Sequence, residues 1–224
     1  MTRTAQAAHP TVGRRQRLRL AVEHLLLFYG VVAAYAWFDI PGGPIPPLLL
    51  LGVAAAVYLR RRPDFDRADL TRAAALRPAL PAILGVWVVM LVLAAALVAL
   101  TMPHRLFELP REAPLIWLAV MVFYPLLSVY PQELIFRAFL FHRYGPVFGT
   151  GTGLVAASAA AFGFAHIIFG NVWSVLLTLA AGWLFARRYH QTRSLLATSV
   201  EHALYGILAF TVGLGDLFYH GATT

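Results

Sequence analysis

The chain is built mainly of apolar stretches, most of them long enough to cross a lipid bilayer. A helix of about 20 apolar residues spans the hydrocarbon core, and such stretches recur between residues 18 and 214 of the 224-residue chain. Hydrophobic residues make up 60% of the sequence and charged residues 12%, about half the charged fraction of a soluble domain. A backbone in lipid must satisfy its own hydrogen bonds, so the pattern predicts an all-α, polytopic transmembrane helical bundle.

About seven spans are predicted, and because the second and sixth are short, the number could be six or eight. Residues 1–224 are interpreted as a single integral membrane domain, whose N-terminal spans lie within about 18–101. Pro131 suits the first turn of a helix, so residues 131–144 are predicted to form a separate helix after the fourth span. The predicted spans cover residues 20–38, 46–59, 80–100, 115–130, 149–169, 172–185 and 195–214.

The positive charge lies beside the predicted spans. The formal net charge of +8 comes from eighteen arginines and no lysine against ten acidic residues. Arginines cluster before residue 20 and between residues 60 and 77, which predicts a cytoplasmic N-terminus by the positive-inside rule. Because the positive charge lies beside predicted spans, we expect no nucleic-acid partner. We expect the protein to lie in a plasma membrane of bacterial type. The absence of cysteine excludes disulfides, thiolate metal sites and a cysteine nucleophile.

A few ionisable residues fall inside the apolar stretches, where each costs roughly 2.5 to 3.5 kcal/mol to insert. Glu133 and Arg137 lie four residues apart, so they share one helix face and can pair. His166 lies deep in the fifth span, and Glu201 and His202 are adjacent in the seventh. Such residues by default face the interior of a bundle and carry function.

Two histidines from separate helices and a carboxylate are the minimum set for activating a water molecule. The carboxylate can take the proton, while the imidazoles hold the water, donate to an oxyanion or bind a metal. A zinc ion would have His166, His202 and Glu133 as its ligands, and no other cofactor is indicated. A structural interpretation stays open, because a histidine in a membrane helix can bond a backbone carbonyl and Glu133 can simply pair with Arg137.

Three motifs follow one another on successive apolar stretches. Residues 132–137 read QELIFR, residues 162–166 read FGFAH, and residues 202–206 read HALYG. Their order and spacing resemble the Glu-Glu-x-x-x-Arg, Phe-x-x-x-His and His-x-x-x-Asn/Asp motifs of the CPBP intramembrane proteases. That family includes the type II CAAX prenyl endopeptidases and Abi-like bacteriocin-immunity proteins. The resemblance covers about residues 115–214, the family-like catalytic core.

The resemblance implies an intramembrane endopeptidase with a membrane-embedded polar cavity. Its substrate would be a hydrophobic or lipidated peptide, and water activated on a glutamate would hydrolyse the peptide bond. In this sequence Glu133 would be the base or water ligand and Arg137 its orienting partner. His166 and His202 would position the water or stabilise the oxyanion.

Two positions depart from the family pattern. The first glutamate of the pair is Gln132, whose neutral amide cannot act as a general base. The residue that closes the third motif is Gly206, which has no side-chain donor or acceptor. Either Glu133 or Glu201 therefore supplies the carboxylate, or the protein is a catalytically silent relative that binds hydrophobic or lipidated peptides as a scaffold or regulator. A transport pathway is a third alternative, since intramembrane Glu, Arg and His also mark such routes.

Overall fold

The computed structural model describes residues 12–38 and 40–219, and its regular structure there is entirely helical. This confirms the predicted all-α bundle. Each predicted span lies in one of the long helices of the described chain, except for a few residues at the ends of three spans, and five of these helices are long and apolar enough to cross a membrane. The helices are α1 (Arg14–Trp37), α2 (Ile45–Arg60), α3 (Ala73–Thr101), α4 (Pro114–Phe148), α5 (Thr152–Phe169), α6 (Val172–Thr192) and α7 (Leu195–Val212).

Helix α4 is continuous through the boundary that was predicted at Pro131. Its 35 residues join the predicted fourth span and the predicted separate helix, so the prediction of two helices was wrong. Two π-helical turns interrupt the α-helix, at Tyr124–Val129 and Leu134–Phe139. Proline lacks an N–H and its ring crowds the preceding turn. Pro125 lies in the first of these π-helical turns and Pro131 in the α-helical segment after it, and the helix continues past both prolines.

Helices α5 and α6 form a tightly packed hairpin. A Cβ placed at Gly163 would lie 2.9 Å from the Cβ of Leu179, and one at Gly182 would lie 3.0 Å from the ring of Phe162. Small residues of this kind bring membrane helices into close contact. Asn171 caps α6 by accepting a hydrogen bond from the backbone N–H of Ser174, at 2.8 Å.

Helix α7 is anchored to α3 and α4 by two tryptophans. The indole N–H of Trp87 donates to the carbonyl of Leu204 at 2.9 Å. The indole N–H of Trp117 donates to the hydroxyl of Thr211 at 3.0 Å. These bonds fix the position of α7 beside α4, and the two helices carry the first and third sequence motifs.

The loop between α2 and α3 is attached to the turn between α6 and α7. Asp69 is 1% exposed and forms ion pairs with Arg72 at 2.8 Å and with Arg193 at 2.6 Å. The hydroxyl of Ser194 donates to the carbonyl of Arg72 at 2.9 Å. Nearby, the backbone N–H of Ala68 and the Arg72 guanidinium lower the pKa of Asp66. Polar groups outside the spans thus join the two loops.

Candidate active site

Helices α4 and α7 bring Glu133 and His202 into direct contact. The Oε1 atom of Glu133 lies 2.8 Å from Nδ1 of His202, and Oε2 lies 3.0 Å from Nε of Arg137. The Glu133 and Arg137 side chains are completely buried, and His202 is 5% exposed. The structure therefore brings together three of the residues singled out in the sequence, in one cluster between α4 and α7.

Helix α5 supports the arginine of this cluster. Nη1 of Arg137 donates to the hydroxyl of Ser158 at 2.6 Å, and that hydroxyl donates to the carbonyl of Phe136 at 2.7 Å. The guanidinium also lies 4.8 Å from the centroid of the Phe162 ring. A buried charge is stable only when it is paired and hydrogen-bonded, so Glu133 and Ser158 together keep Arg137 in the core.

Both ring nitrogens of His202 have polar partners, and the face of its ring packs on an aromatic side chain. A carboxylate only accepts hydrogen bonds, so the contact with Glu133 places the His202 proton on Nδ1 and leaves Nε2 as an acceptor. Nε2 lies 3.3 Å from the Tyr124 hydroxyl. The imidazole stacks on Phe185 with ring centroids 4.6 Å apart. These contacts leave His202 little freedom to turn.

A cavity of about 450 Å³ lies beside this cluster, between α1, α2, α4 and the end of α5. Most of the lining is apolar, with aliphatic and aromatic side chains from all four helices. The polar side chains of Ser128, Gln132 and His166 also line it, as do Tyr35 and Tyr58. Glu133, Arg137 and His202 do not line this cavity. Consecutive residues of a helix point about 100° apart, which explains why Gln132 meets the cavity while Glu133 meets His202.

The polar groups of the cavity wall have defined hydrogen bonds. The Nδ1 atom of His166 lies 2.8 Å from the carbonyl of Phe162, so the proton is on Nδ1 and Nε2 is the acceptor. The Nε2 group of Gln132 donates to the hydroxyl of Ser128 at 2.7 Å, which uses one of its two N–H donors. The cavity therefore offers an imidazole nitrogen that can accept a hydrogen bond, and an amide donor.

Phe162 connects the cavity wall with the buried cluster. Its ring centroid is 4.8 Å from that of His166 and 5.4 Å from that of His202. The two histidines thus contact the same aromatic ring. They do not share a hydrogen bond in the described part of the chain.

Glu201 is not part of this site. Its two carboxylate oxygens accept hydrogen bonds from the Arg188 guanidinium, at 2.8 and 3.1 Å. Glu201 is 2% exposed, and Arg188 comes from α6, so the pair joins α6 to α7. Although Glu201 and His202 are adjacent in sequence, they point to different neighbours, as adjacent residues of a helix must.

The arrangement does not fit the zinc site that the sequence suggested. A zinc ion needs three protein ligands about 2.0 to 2.2 Å from the metal, whereas Glu133 and His202 bond directly to each other. His166 directs Nδ1 to a backbone carbonyl. Among the described residues, no group of three or more His, Cys, Asp or Glu side chains is placed to hold a metal ion.

Sequence reasoning missed the hydroxyl groups of the site. Ser128 lies one helical turn before Gln132 and shares its face, so that spacing could have identified it. Ser158 is also a lone polar residue in an apolar stretch. Tyr124 carries no such signal, because its contact with His202 depends on how α4 packs against α7.

The comparisons with known proteins concern the part of the chain that forms this site. The model of one protein family matches residues 110–208, under the description Type II CAAX prenyl endopeptidase Rce1-like. No curated protein and no solved structure matches the chain. The matched segment contains all three motifs, so the resemblance based on them is confirmed. Residues 110–208 of this integral membrane protein are therefore similar to the Rce1-like type II CAAX prenyl endopeptidases.

Proposed function

We propose that this protein is an intramembrane endopeptidase that cleaves hydrophobic or lipidated peptides at or within the bilayer. The observation that supports it best is the apolar cavity among the membrane helices, with His166 and Gln132 in its wall. An apolar cavity with a few polar groups is the usual form of a binding site. A volume of about 450 Å³ has room for a few side chains or part of a lipid chain. The family match supports a protease in general.

His166 is the residue best placed to activate water. Its Nδ1–H bonds to the Phe162 carbonyl at 2.8 Å, so Nε2 keeps a lone pair. In the proposed reaction Nε2 takes a proton from water while the water oxygen attacks the peptide carbonyl carbon. The C–N bond then breaks, and the same proton passes from His166 to the leaving amine. A general base of this kind contributes about 10²- to 10⁴-fold to the rate.

Gln132 is the proposed donor to the oxyanion of the tetrahedral intermediate. One N–H of its amide bonds Ser128 at 2.7 Å, and the second N–H remains to donate. Loss of one such donor costs about 10²- to 10³-fold in rate. A glutamine can thus serve the reaction by hydrogen bonding although it cannot accept a proton.

Glu133 is assigned a positioning role in place of the base role expected from the sequence. Its two oxygens face His202 and Arg137 at 2.8 and 3.0 Å, and it does not line the cavity. The hydrogen bond to His202 holds α4 against α7, while the ion pair with Arg137 lies within α4. Glu133 thereby sets the position of the neighbouring Gln132 in the cavity wall.

A silent, peptide-binding relative is the second candidate, and Gln132 is the observation that favours it. A neutral amide occupies the cavity wall, and the adjacent carboxylate of Glu133 does not line the cavity. In this alternative the protein holds a hydrophobic or lipidated peptide without cutting it. The cavity and its lining would be the same, so only a reaction assay separates the two functions.

The experiment is cleavage of a quenched peptide library by the purified full-length protein in liposomes. We expect cleavage by the wild type, a loss of about 10²-fold or more in His166→Ala, and a similar loss in Gln132→Ala. His104→Ala removes an exposed histidine outside the cavity and serves as the matched control. Peptide binding without cleavage by folded wild type would establish the silent relative instead.

The variant Gln132→Glu provides a second test. It places a carboxylate in the cavity wall, where it can accept the proton of a water molecule. If the wild type is a silent relative, this substitution should create or strongly raise cleavage. If Gln132 already works as the oxyanion donor, the substitution removes its N–H groups and should lower cleavage.

A further inference from the structure

Tyr124 fills the space beside residue 206, which is open because that residue is a glycine and has no side chain. A Cβ added at Gly206 would overlap the hydroxyl and ring atoms of Tyr124, so no larger residue fits there without displacing the ring. Tyr124 lies on α4 within a π-helical turn, and its ring also packs edge-on against Phe210 of α7 at 5.5 Å. The Tyr124 ring can therefore pack against α7 only because residue 206 is a glycine.

The hydroxyl of Tyr124 reaches His202 through this space. Its oxygen is 3.3 Å from Nε2 of His202. Because Glu133 holds the proton of His202 on Nδ1, Nε2 is an acceptor and the phenol is the donor. Position 206 lies one turn after His202 on the same helix face. A polar side chain there could offer the same donor from within α7, and Gly206 offers none.

We propose that Tyr124 is a positioning residue for His202 and supplies from α4 the hydrogen bond that residue 206 cannot supply from α7. Glu133 and Tyr124, both on α4, then hold the two nitrogens of His202. The bond fixes the tautomer and the angle of the imidazole against Phe185 and Phe162. This inference rests on the proposed function for its effect on catalysis, but the bond itself can be tested without catalysis.

The first test observes the imidazole directly, by ¹⁵N NMR of histidine-labelled full-length protein in micelles. The signal of His202 is assigned by its absence from the spectrum of His202→Gln. In Tyr124→Phe, which keeps the ring and removes only the hydroxyl, we expect the Nε2 resonance of His202 to shift. Tyr219→Phe changes an exposed tyrosine, 58% exposed, and should leave that resonance unchanged. An unshifted Nε2 resonance in Tyr124→Phe would refute the proposed bond.

The second test moves the hydrogen-bond donor from residue 124 to residue 206. Tyr124→Ala combined with Gly206→Asn removes the ring and places an amide one turn from His202. The matched control combines Tyr124→Ala with Gly206→Ala, which has the same space and no donor. We expect only the asparagine variant to restore the Nε2 resonance towards its wild-type position. Equal spectra of the two double variants would show that a donor at this place is not what holds His202.

The cleavage assay adds a kinetic readout. His202 bonds Glu133, and Glu133 in turn sets the position of the proposed oxyanion donor Gln132. Through this connection, loss of one hydrogen bond to His202 should lower kcat about threefold to tenfold in Tyr124→Phe, with KM unchanged. The asparagine double variant should recover kcat relative to its alanine control. If the wild type does not cleave, the proposed function fails and the NMR results alone decide the role of Tyr124. A normal kcat in Tyr124→Phe, with an active wild type, would overturn the positioning role.

Discussion

Replacing Glu133 by glutamine should destabilise the protein strongly, because it leaves Arg137 as a buried charge without a carboxylate. The two side chains are completely buried and lie 3.0 Å apart. At this distance, with an effective dielectric constant of about 20, the attraction is roughly 5 kcal/mol. Breaking one partner of a buried pair costs about 3 to 5 kcal/mol. For a chain of this size, that corresponds to a fall in Tm of roughly 10 °C.

The assay is thermal unfolding of the purified protein in micelles, followed by tryptophan fluorescence. The double variant Glu133→Gln with Arg137→Met removes both charges and keeps similar volumes. Because no unpaired charge remains, its Tm should lie well above that of Glu133→Gln alone. A Glu133→Gln variant as stable as the wild type would refute the reasoning, since Arg137 would then be neutralised by something other than Glu133. A double variant less stable than Glu133→Gln would refute it too.

Three further substitutions test the packing around the site. Glu201→Gln should lower Tm, because Arg188 loses its charged partner at 2.8 Å, but should leave peptide cleavage unchanged. Asn171→Ala should destabilise the protein by about 1 kcal/mol in denaturant unfolding, since α6 loses its N-cap. Gly163→Ala should cost about 1 to 3 kcal/mol in the same measurement, because its new Cβ would lie 2.9 to 3.1 Å from Leu179.

Each of these expectations has a clear contrary result. Loss of cleavage in a folded Glu201→Gln variant would show that the Glu201 carboxylate takes part in the reaction. Asn171→Ser should retain most of the wild-type stability, because serine also caps helices; if it is no better than Asn171→Ala, the cap is not the cause. An unchanged unfolding midpoint in Gly163→Ala would mean that α5 and α6 can move apart to fit the new Cβ with no loss of stability.

The helices could be predicted from the sequence because lipid imposes a simple rule on length and polarity. Every predicted span coincides with a helix of the structure except for a few residues at the ends of three spans. The break predicted at Pro131 was wrong because the backbone stays helical through that proline, which lies in the α-helical segment Tyr130–Glu133 between two π-helical turns. Apolar periodicity contains no signal for such a change of helix type.

The partners within the site were predictable only where they lie on one helix. The pair of Glu133 and Arg137 follows from their spacing of four residues, and the structure contains it. The partner of Glu201 was not predictable, because Arg188 lies on another helix and the choice depends on how the two pack. The contact of Tyr124 with His202 was not predictable either, because the Tyr124 ring fits there only when residue 206 is a glycine. Packing across helices decided each of these contacts.

The π-helical turns of α4 have a consequence for how such a site can change. A π turn holds about one residue more than an α turn, so it behaves as a one-residue insertion that the helix has absorbed. Deleting one residue from Tyr124–Val129 would restore a regular α-helix, and because the wider turn had absorbed the extra residue, the two ends of α4 would keep nearly the same orientation relative to each other. Glu133 would still meet His202, and Gln132 would still meet the cavity, whereas the same deletion in a regular α-helical stretch would rotate the two ends by about 100°. This turn is therefore a place where α4 can change its length by one residue and keep the site.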